Sequence, residues 1–351
     1  MVSIRRRRGQ PTELAVGTGP DEAVQEAEPD RLRDLRPASW WAVLRRTIAE
    51  FNDDALSDRA AALTYYSIQA IFPALLVLVS LLGVVGKSAT ATILENLQDL
   101  TPGSARDVVS NAVNGIRDSS GTGSVLAIVG LAGALWSASG YVAAFIRAAN
   151  AVYDIPEGRP VWKIAPLRIG VTVALMVLLA LSAVIVVFSG AVARQTGAAL
   201  GIGRTAVDVW SYAKWPVLVV LVILMIAILY WAAPNVRHQG FCWLTPGSVL
   251  AMVIWMIASG AFAFYVANFG SYNKTYGTLA GIIIFLVWLW LTNLAILLGL
   301  EFDAELARQR AIAGGHPAGA EPYTPPRDTR GFPRRPRRTK RQDPATPDAA
   351  G

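Results

Sequence analysis

The sequence predicts an all-α, polytopic membrane protein, and two observations carry that prediction. The last apolar stretch places 26 uncharged residues between Lys274 and Glu301, where about 20 apolar helical residues suffice to cross a bilayer core of roughly 30 Å. Of the 351 residues, 53% are hydrophobic and only 16% are charged, whereas soluble domains carry about 25% charged residues. The charges gather toward the termini, so the net charge of +7 describes arms and loops. Cys242 is the single cysteine and has no internal disulfide partner, and His238 and His316 lie far apart with no metal-ligand spacing. No cofactor and no metal centre is expected.

Residues 1–39 open with four consecutive arginines at 5–8 and continue without an apolar period, which reads as a disordered basic cytoplasmic arm. From Trp40 to Arg59, the apolar positions Trp40, Trp41, Val43, Leu44, Ile48 and Phe51 recur at helical spacing, with Arg45, Arg46 and Glu50 assigned to the opposite side. That pattern predicts a helix lying in the membrane interface. Six spans follow, at about 60–86, 119–146, 169–193, 215–236, 245–267 and 275–300. Pro73 is expected to bend the first, and Pro246 suits the first turn of the fifth. Gly130, Gly133, Ser137 and Gly140 lay a small-residue stripe along the second, and Gly277 and Gly281 have the same spacing in the sixth.

Between the first two spans, residues 88–118 are polar but periodic, with a break at Thr101-Pro102-Gly103, and read as an extracytoplasmic helical hairpin. Residues 194–214 are expected to form a second external connection. The chain beyond 310 is rich in Pro, Gly and Arg, so 311–351 is expected to be a disordered cytoplasmic tail. Of the 32 Lys and Arg residues, 25 fall on the side that holds both termini and 7 on the other, which places both termini in the cytoplasm.

Three stretches together resemble the YihY/virulence factor BrkB family, which carries an older label of ribonuclease BN. The first is the alanine-rich, Tyr-containing entry from Ala60 to Pro73. The second runs from Leu135 through Trp136, Gly140, Tyr141 and Arg147 to Asn150, then to Tyr153-Asp154 and Arg159-Pro160. The third joins Ala233-Pro234-Asn235, residues 268–272, Tyr276-Gly277, Glu301 and Glu305. Gln69 and Ala70 stand where the family more often has Leu or Ser, and Phe302-Asp303 where it often has Leu-Asn. The resemblance covers residues 40–310 and implies a bacterial inner-membrane protein with one six-helix domain and suspected transport or envelope roles.

Polar groups near the spans are the candidates for a substrate path, because such groups are costly at membrane depth and commonly face a cavity. They are Arg59, Gln69 and Arg147, then Asn150, Asn268, Asn293 and Glu301. Glu301 is expected beside Arg59, Arg147 and Asn150. Three functions follow: a translocator or exporter of lipid or small molecules, a non-catalytic scaffold for envelope machinery, or a ribonuclease acting on transfer RNA. The last is disfavoured, because no acid and base cluster for phosphodiester hydrolysis is written here, and Glu305 has Arg308 three positions on to pair with. Membrane lipids, envelope proteins or a second copy are the expected partners; no specific nucleic acid is expected.

Overall fold

The computed structural model describes residues 19–27, 37–85, 123–187, 204–237, 244–268 and 278–332. All described regular structure is helical: α1 Glu22–Ala27, α2 Pro37–Asp53, α3 Leu56–Val85, α4 Gly123–Val152, α5 Val161–Val187, α6 Arg204–Ala232, α7 Pro246–Asn268 and α8 Thr278–Ala313. A single isolated bridge pairs Val236 with Pro326. Four helical segments, 161–186, 208–232, 246–268 and 281–313, are long and apolar enough to cross a membrane, and α3 and α4 have 30 residues each. The expected hairpin at 88–118 lies outside the described residues.

Local chemistry sets the helix ends. At the end of α4, Asp154 takes a left-handed conformation with φ of 52°, which a short polar side chain tolerates. Ile155 N–H then donates to Asn150 O at 2.9 Å and Asp154 N–H to Ala151 O at 3.0 Å, the paired bonds of a Schellman closure. Gly315 repeats this closure after α8, with φ of 101° and His316 N–H on Ala311 O at 2.9 Å. Pro246 does open α7, where its missing N–H costs nothing. Thr245 Oγ1 caps that helix by accepting Ser248 N–H at 3.0 Å.

The helices α3 to α8 form a ring. Each packs on its neighbours in sequence, and α8 closes the circle on α3. The closest approach is between α7 and α8, where Gly247 and Gly299 face each other so tightly that a Cβ on either would strike the other's carbonyl oxygen. Small residues permit such backbone contact, which drives helix association in a membrane where apolar burial alone does not. Asp303 of α8 strengthens this pairing by accepting Gly247 N–H at 2.7 Å. The stripes expected from sequence contribute less: Gly140 packs on the Tyr66 ring, whereas Gly133 and Gly281 have open space around them.

Among the described residues, the largest fully buried apolar side chains gather at the end of the ring that carries α2 and the strap of residues 314–332. There Leu56, Leu63, Phe145, Leu297 and Leu300 are almost completely buried. On the outside of this end α2 lies along α8, with Val43, Phe302 and Leu306 forming a small apolar cluster.

Several boundaries differ from the sequence expectation. α5 starts at 161 and α6 at 204, so residues 204–214 belong to a helix and not to a connection. α8 runs to Ala313, past the apolar window. Helices outlast their apolar stretches because charged groups at their ends are met by polar partners. On α2, Arg46 bonds Glu305 and Gln309 of α8, while Trp41, Leu44 and Ile48 of the apolar side are exposed. The acids on α8 draw the charged side of α2 inward.

The tail expected to be disordered from 311 is folded to 332. It continues α8 to Ala313 and then crosses the end of the ring as a strap. Arg237 N–H donates to Pro325 O at 2.8 Å, Arg327 N–H to Asn235 O at 2.8 Å and Gly331 N–H to Gly158 O at 2.7 Å. Within the arm expected to be disordered, residues 19–27 are also placed, with α1 and Gly19, φ of 83°, against Pro325. Backbone hydrogen bonds hold these segments, so they need no apolar period.

Replacing Gly299 by Ala should lower the unfolding temperature of detergent-purified protein, at a cost of about 1–3 kcal/mol from overpacking. The same change at Gly281, which meets nothing within 4 Å, should leave that temperature unchanged.

Candidate functional site

Inside the ring, beyond the packed end, lies a cavity of about 530 Å³ walled by all six helices. It is within the range of roughly 300–1,000 Å³ typical of small-ligand sites. Along α5 the wall extends from Thr172 to Ala183, a rise of about 17 Å at 1.5 Å per residue. Most of the wall is aliphatic, with Met176, Met225 and Met252 among the lining side chains. None of the lining residues carries a charge.

The polar side chains on the wall are bonded within the protein. Trp255 Nε1 donates to Thr292 Oγ1 at 3.1 Å, Trp288 Nε1 to Ser259 Oγ at 3.3 Å, and Thr292 Oγ1 to Trp288 O at 2.9 Å. Thr172 and Ser67 each return their hydroxyl hydrogen to the carbonyl four residues back, on Arg168 and Leu63. Tyr141 OH donates to Asn293 Oδ1 at 3.1 Å.

Asn293 lies beside the cavity wall, between Leu289 and Ile296, and does not itself line it. It is 2% exposed, and its Nδ2 donates to Leu289 O at 3.0 Å and reaches Thr64 Oγ1 at 3.3 Å. It therefore ties α8 to α3 and, through Tyr141, to α4. Below it, Tyr230 OH donates to Ile296 O at 2.5 Å and joins α6 to α8. These bonds tie α3, α4, α6 and α8 together beside the cavity.

Further down, Arg159 binds the closed end together. It is 6% exposed and donates to Ala232 O at 3.1 Å and Ala233 O at 2.6 Å, the carbonyls at the end of α6. A cation at a helix C-terminus is favoured there. Glu157 holds the guanidinium from the other side at 2.7 Å and 2.8 Å. Asn150 Nδ2 donates to Glu157 at 2.9 Å, and Asn150 Oδ1 accepts Asn235 N–H at 2.7 Å. Asn235 passes the network to the strap, donating to Asp328 O at 2.8 Å. Gly158 must be glycine here, since a Cβ would strike the Asp328 carbonyl.

Burial alone would push the Glu157 carboxyl up, but the hydrogen bonds and charge of Arg159, with Asn150, outweigh it and hold it below its ordinary value. The Arg330 side chain and backbone N–H, aided by Lys163, hold Asp328 far below the usual carboxylate range.

The structure thus separates the residues expected to share one path. Asn293 is bonded to Tyr141 and Thr64 beside the cavity wall, and Asn150 belongs to the Arg159 network. Gln69 is half-buried on α3, and Asn268 is exposed and caps its own helix on Phe264 O at 2.8 Å. Arg59 donates to Asp54 O at 2.6 Å, and exposed Arg147 lies over the Tyr66 ring at 5.9 Å. Glu301 is 1% exposed, but the charged groups facing it are Asp54, Glu305 and Glu50. The expected grouping of Glu301 with Arg59, Arg147 and Asn150 is not found among the hydrogen bonds and ion pairs of the described residues. Helical spacing fixed their level along the bundle and left their direction around each helix open. The Glu305–Arg308 pair does form, at 3.0 Å. Sequence reasoning missed Trp255, Trp288, Thr292 and Arg159; the one available signal was a tryptophan or threonine repeated at similar depth in neighbouring apolar windows.

The pattern of the family described as Virulence factor BrkB matches residues 47–323. Among individual relatives, the ribonuclease-like protein YfkH of Bacillus subtilis is 29% identical over 74% of this chain and 93% of its own length. A UPF0761 membrane protein of Alkalilimnicola ehrlichii is 31% identical over 76% of this chain and 60% of its own length, so the chain spans under two thirds of that relative. A UPF0761 membrane protein of Xanthomonas campestris is 28% identical over 84% of this chain and 67% of its own length. No solved structure matches the chain.

Replacing Arg159 by Ala should cost about 3 kcal/mol or more, because buried carbonyls and Glu157 lose their partner; unfolding of the purified protein reads this directly. Glu157 and Asp328 both titrate lower in the fold than in the unfolded chain. Their stabilisation is therefore present above the ordinary carboxylate value of about 4 and lost as pH falls through the folded values. Between pH 6 and pH 3 the unfolding temperature should fall, and in Asp328→Asn it should start lower at pH 6 and fall less steeply.

Proposed function

The chain belongs to the virulence factor BrkB family, and from that premise and the cavity we propose that it carries lipid or small molecules across a bacterial inner membrane in envelope maintenance. The reading takes α3 to α8 as six spans with both termini in the cytoplasm, which follows the distribution of Lys and Arg. The single observation that carries it is a cavity of about 530 Å³ walled by those six helices, with no charged residue among its described lining. A carrier needs such a site, accessible from one side at a time. A purely structural bundle gains nothing from leaving its centre loosely packed.

A ribonuclease reading draws only on the name of the Bacillus relative. The acids it would use are Glu301 and Glu305, and Glu305 is held by Arg46 and Arg308. We assign no catalytic step to the chain. RNA cleavage by protein free of soluble ribonucleases, abolished by changing both acids, would reverse that assignment.

The purified full chain, reconstituted into vesicles of phosphatidylethanolamine and phosphatidylglycerol with a trace of fluorescent phosphatidylglycerol, should speed the movement of label between leaflets at least tenfold over empty vesicles. Chemical quenching of the outer leaflet reads the rate. An unchanged rate with and without a pH gradient or membrane potential would sink lipid movement, and screening of small solutes in the same vesicles would then decide the remaining half of the proposal.

A further inference from the structure

We infer that the cavity binds the hydrocarbon chain of a membrane phospholipid and offers no site to a charged or polar group. The inference narrows the cargo of the proposed carrier and rests on that reading for its purpose, while the binding itself is measurable without any transport.

Three features of the wall carry it. The first is hydrogen-bond chemistry. Each polar hydrogen described on the wall already has an acceptor within the protein: Trp255 and Trp288 on hydroxyls, Thr172, Ser67 and Thr292 on helical carbonyls, and Tyr141 on Asn293. A polar acceptor entering here would lose its hydrogen bonds to water and find no free donor on the wall. The second is charge. Among the described lining residues there is no Asp, Glu, Lys or Arg, so an ionic headgroup would meet no counter-charge from them.

The third is adaptability. Met176, Met225 and Met252 supply three of the protein's five methionines to this one wall. Unbranched thioethers repack around ligands of varied shape, as at promiscuous apolar sites. A flexible alkyl chain is the ligand such a wall fits, and at this depth of a bilayer hydrocarbon chains are the most abundant apolar molecule. The headgroup would remain outside the cavity, so selectivity for it would have to come from other residues.

Photolabelling tests the assignment. The full chain is reconstituted in vesicles of phosphatidylethanolamine and phosphatidylglycerol containing a phosphatidylglycerol whose acyl chain carries a diazirine, irradiated, and its adducts mapped by peptide mass spectrometry. Adducts are expected on cavity residues such as Met225 and Trp255 as well as on outward residues such as Val220 and Ile257, which are exposed. Filling the cavity with Ala180→Phe should reduce the cavity adducts about tenfold and leave the outward ones unchanged. Ala183→Phe, on the same wall, serves if the first variant fails to fold, judged by gel filtration and unfolding temperature. Adducts confined to outward positions, or cavity adducts undiminished in a folded filled variant, would overturn the inference. Cavity labelling with no leaflet exchange would leave the chain site standing and remove lipid transport. Leaflet exchange with an unlabelled cavity would do the reverse.

Discussion

The closed end of the ring depends on one buried cation. Arg159 sits between the C-terminal carbonyls of α6 and the Glu157 carboxylate, and removing it would leave acceptors on two segments without their partner. A guanidinium suits this position because its planar fork serves several acceptors at once and keeps its charge in any environment. Asn150 and Asn235 extend the same network from α4 to the strap. Because these bonds are polar and directional, they fix the loop after α4, the end of α6 and residues 325–331 in one arrangement. Apolar contacts between helices would not select that arrangement in a membrane, where lipid tails compete equally well for apolar surface.

That fixed end explains how a cavity can persist a short way along the ring. The helices are held together at one end by Arg159, by the Gly247–Gly299 contact and by the Tyr141–Asn293 and Tyr230–Ile296 bonds. Beyond those ties the six helices need not converge. The wall of the cavity keeps its own polar groups bonded, so it can face hydrocarbon without penalty. The result is two regions with opposite chemistry on the same helices: a polar, rigid closure and an apolar, methionine-rich chamber.

Sequence made part of this legible. Asn293 and Asn150 stood out as amides near the spans, and both are bonded within the protein. Pro246 behind Thr245 announced the start of α7, and the i,i+3 spacing announced Glu305–Arg308. What remained illegible were the relations between distant segments. Gly247 and Gly299 lie 52 positions apart on different helices, and neither lies in the small-residue stripes read from spacing. The strap from 314 to 332 has the composition of a free tail, and residues far upstream, among them Gly158, Asn235 and Arg237, give it a seat. The cavity was invisible for the same reason, since its wall is an average apolar composition arranged by ring closure.

The acidic end of α8, the most conspicuous polar feature of the sequence, finds its explanation in α2. Glu305 accepts from Arg46 and from Arg308, and Arg308 also reaches Glu50 at 3.5 Å. Between these charges, Trp40 stacks on Phe302 with ring centroids 6.2 Å apart. Each interaction is individually modest at a partly exposed site, but together they orient α2 along α8 with Val43 and Thr47 inward. Trp41, at 70% exposure, then points outward with Leu44 and Ile48, the face that a membrane interface would receive. Glu305 is therefore explained by anchoring a surface helix. Glu301 lies eight residues beyond Asn293 on α8, about 12 Å along the axis, so it belongs to this closed end and stands outside the wall of the cavity. A path through the molecule that began from Glu301 would have to pass Leu297 and Leu300, both completely buried, before reaching the chamber.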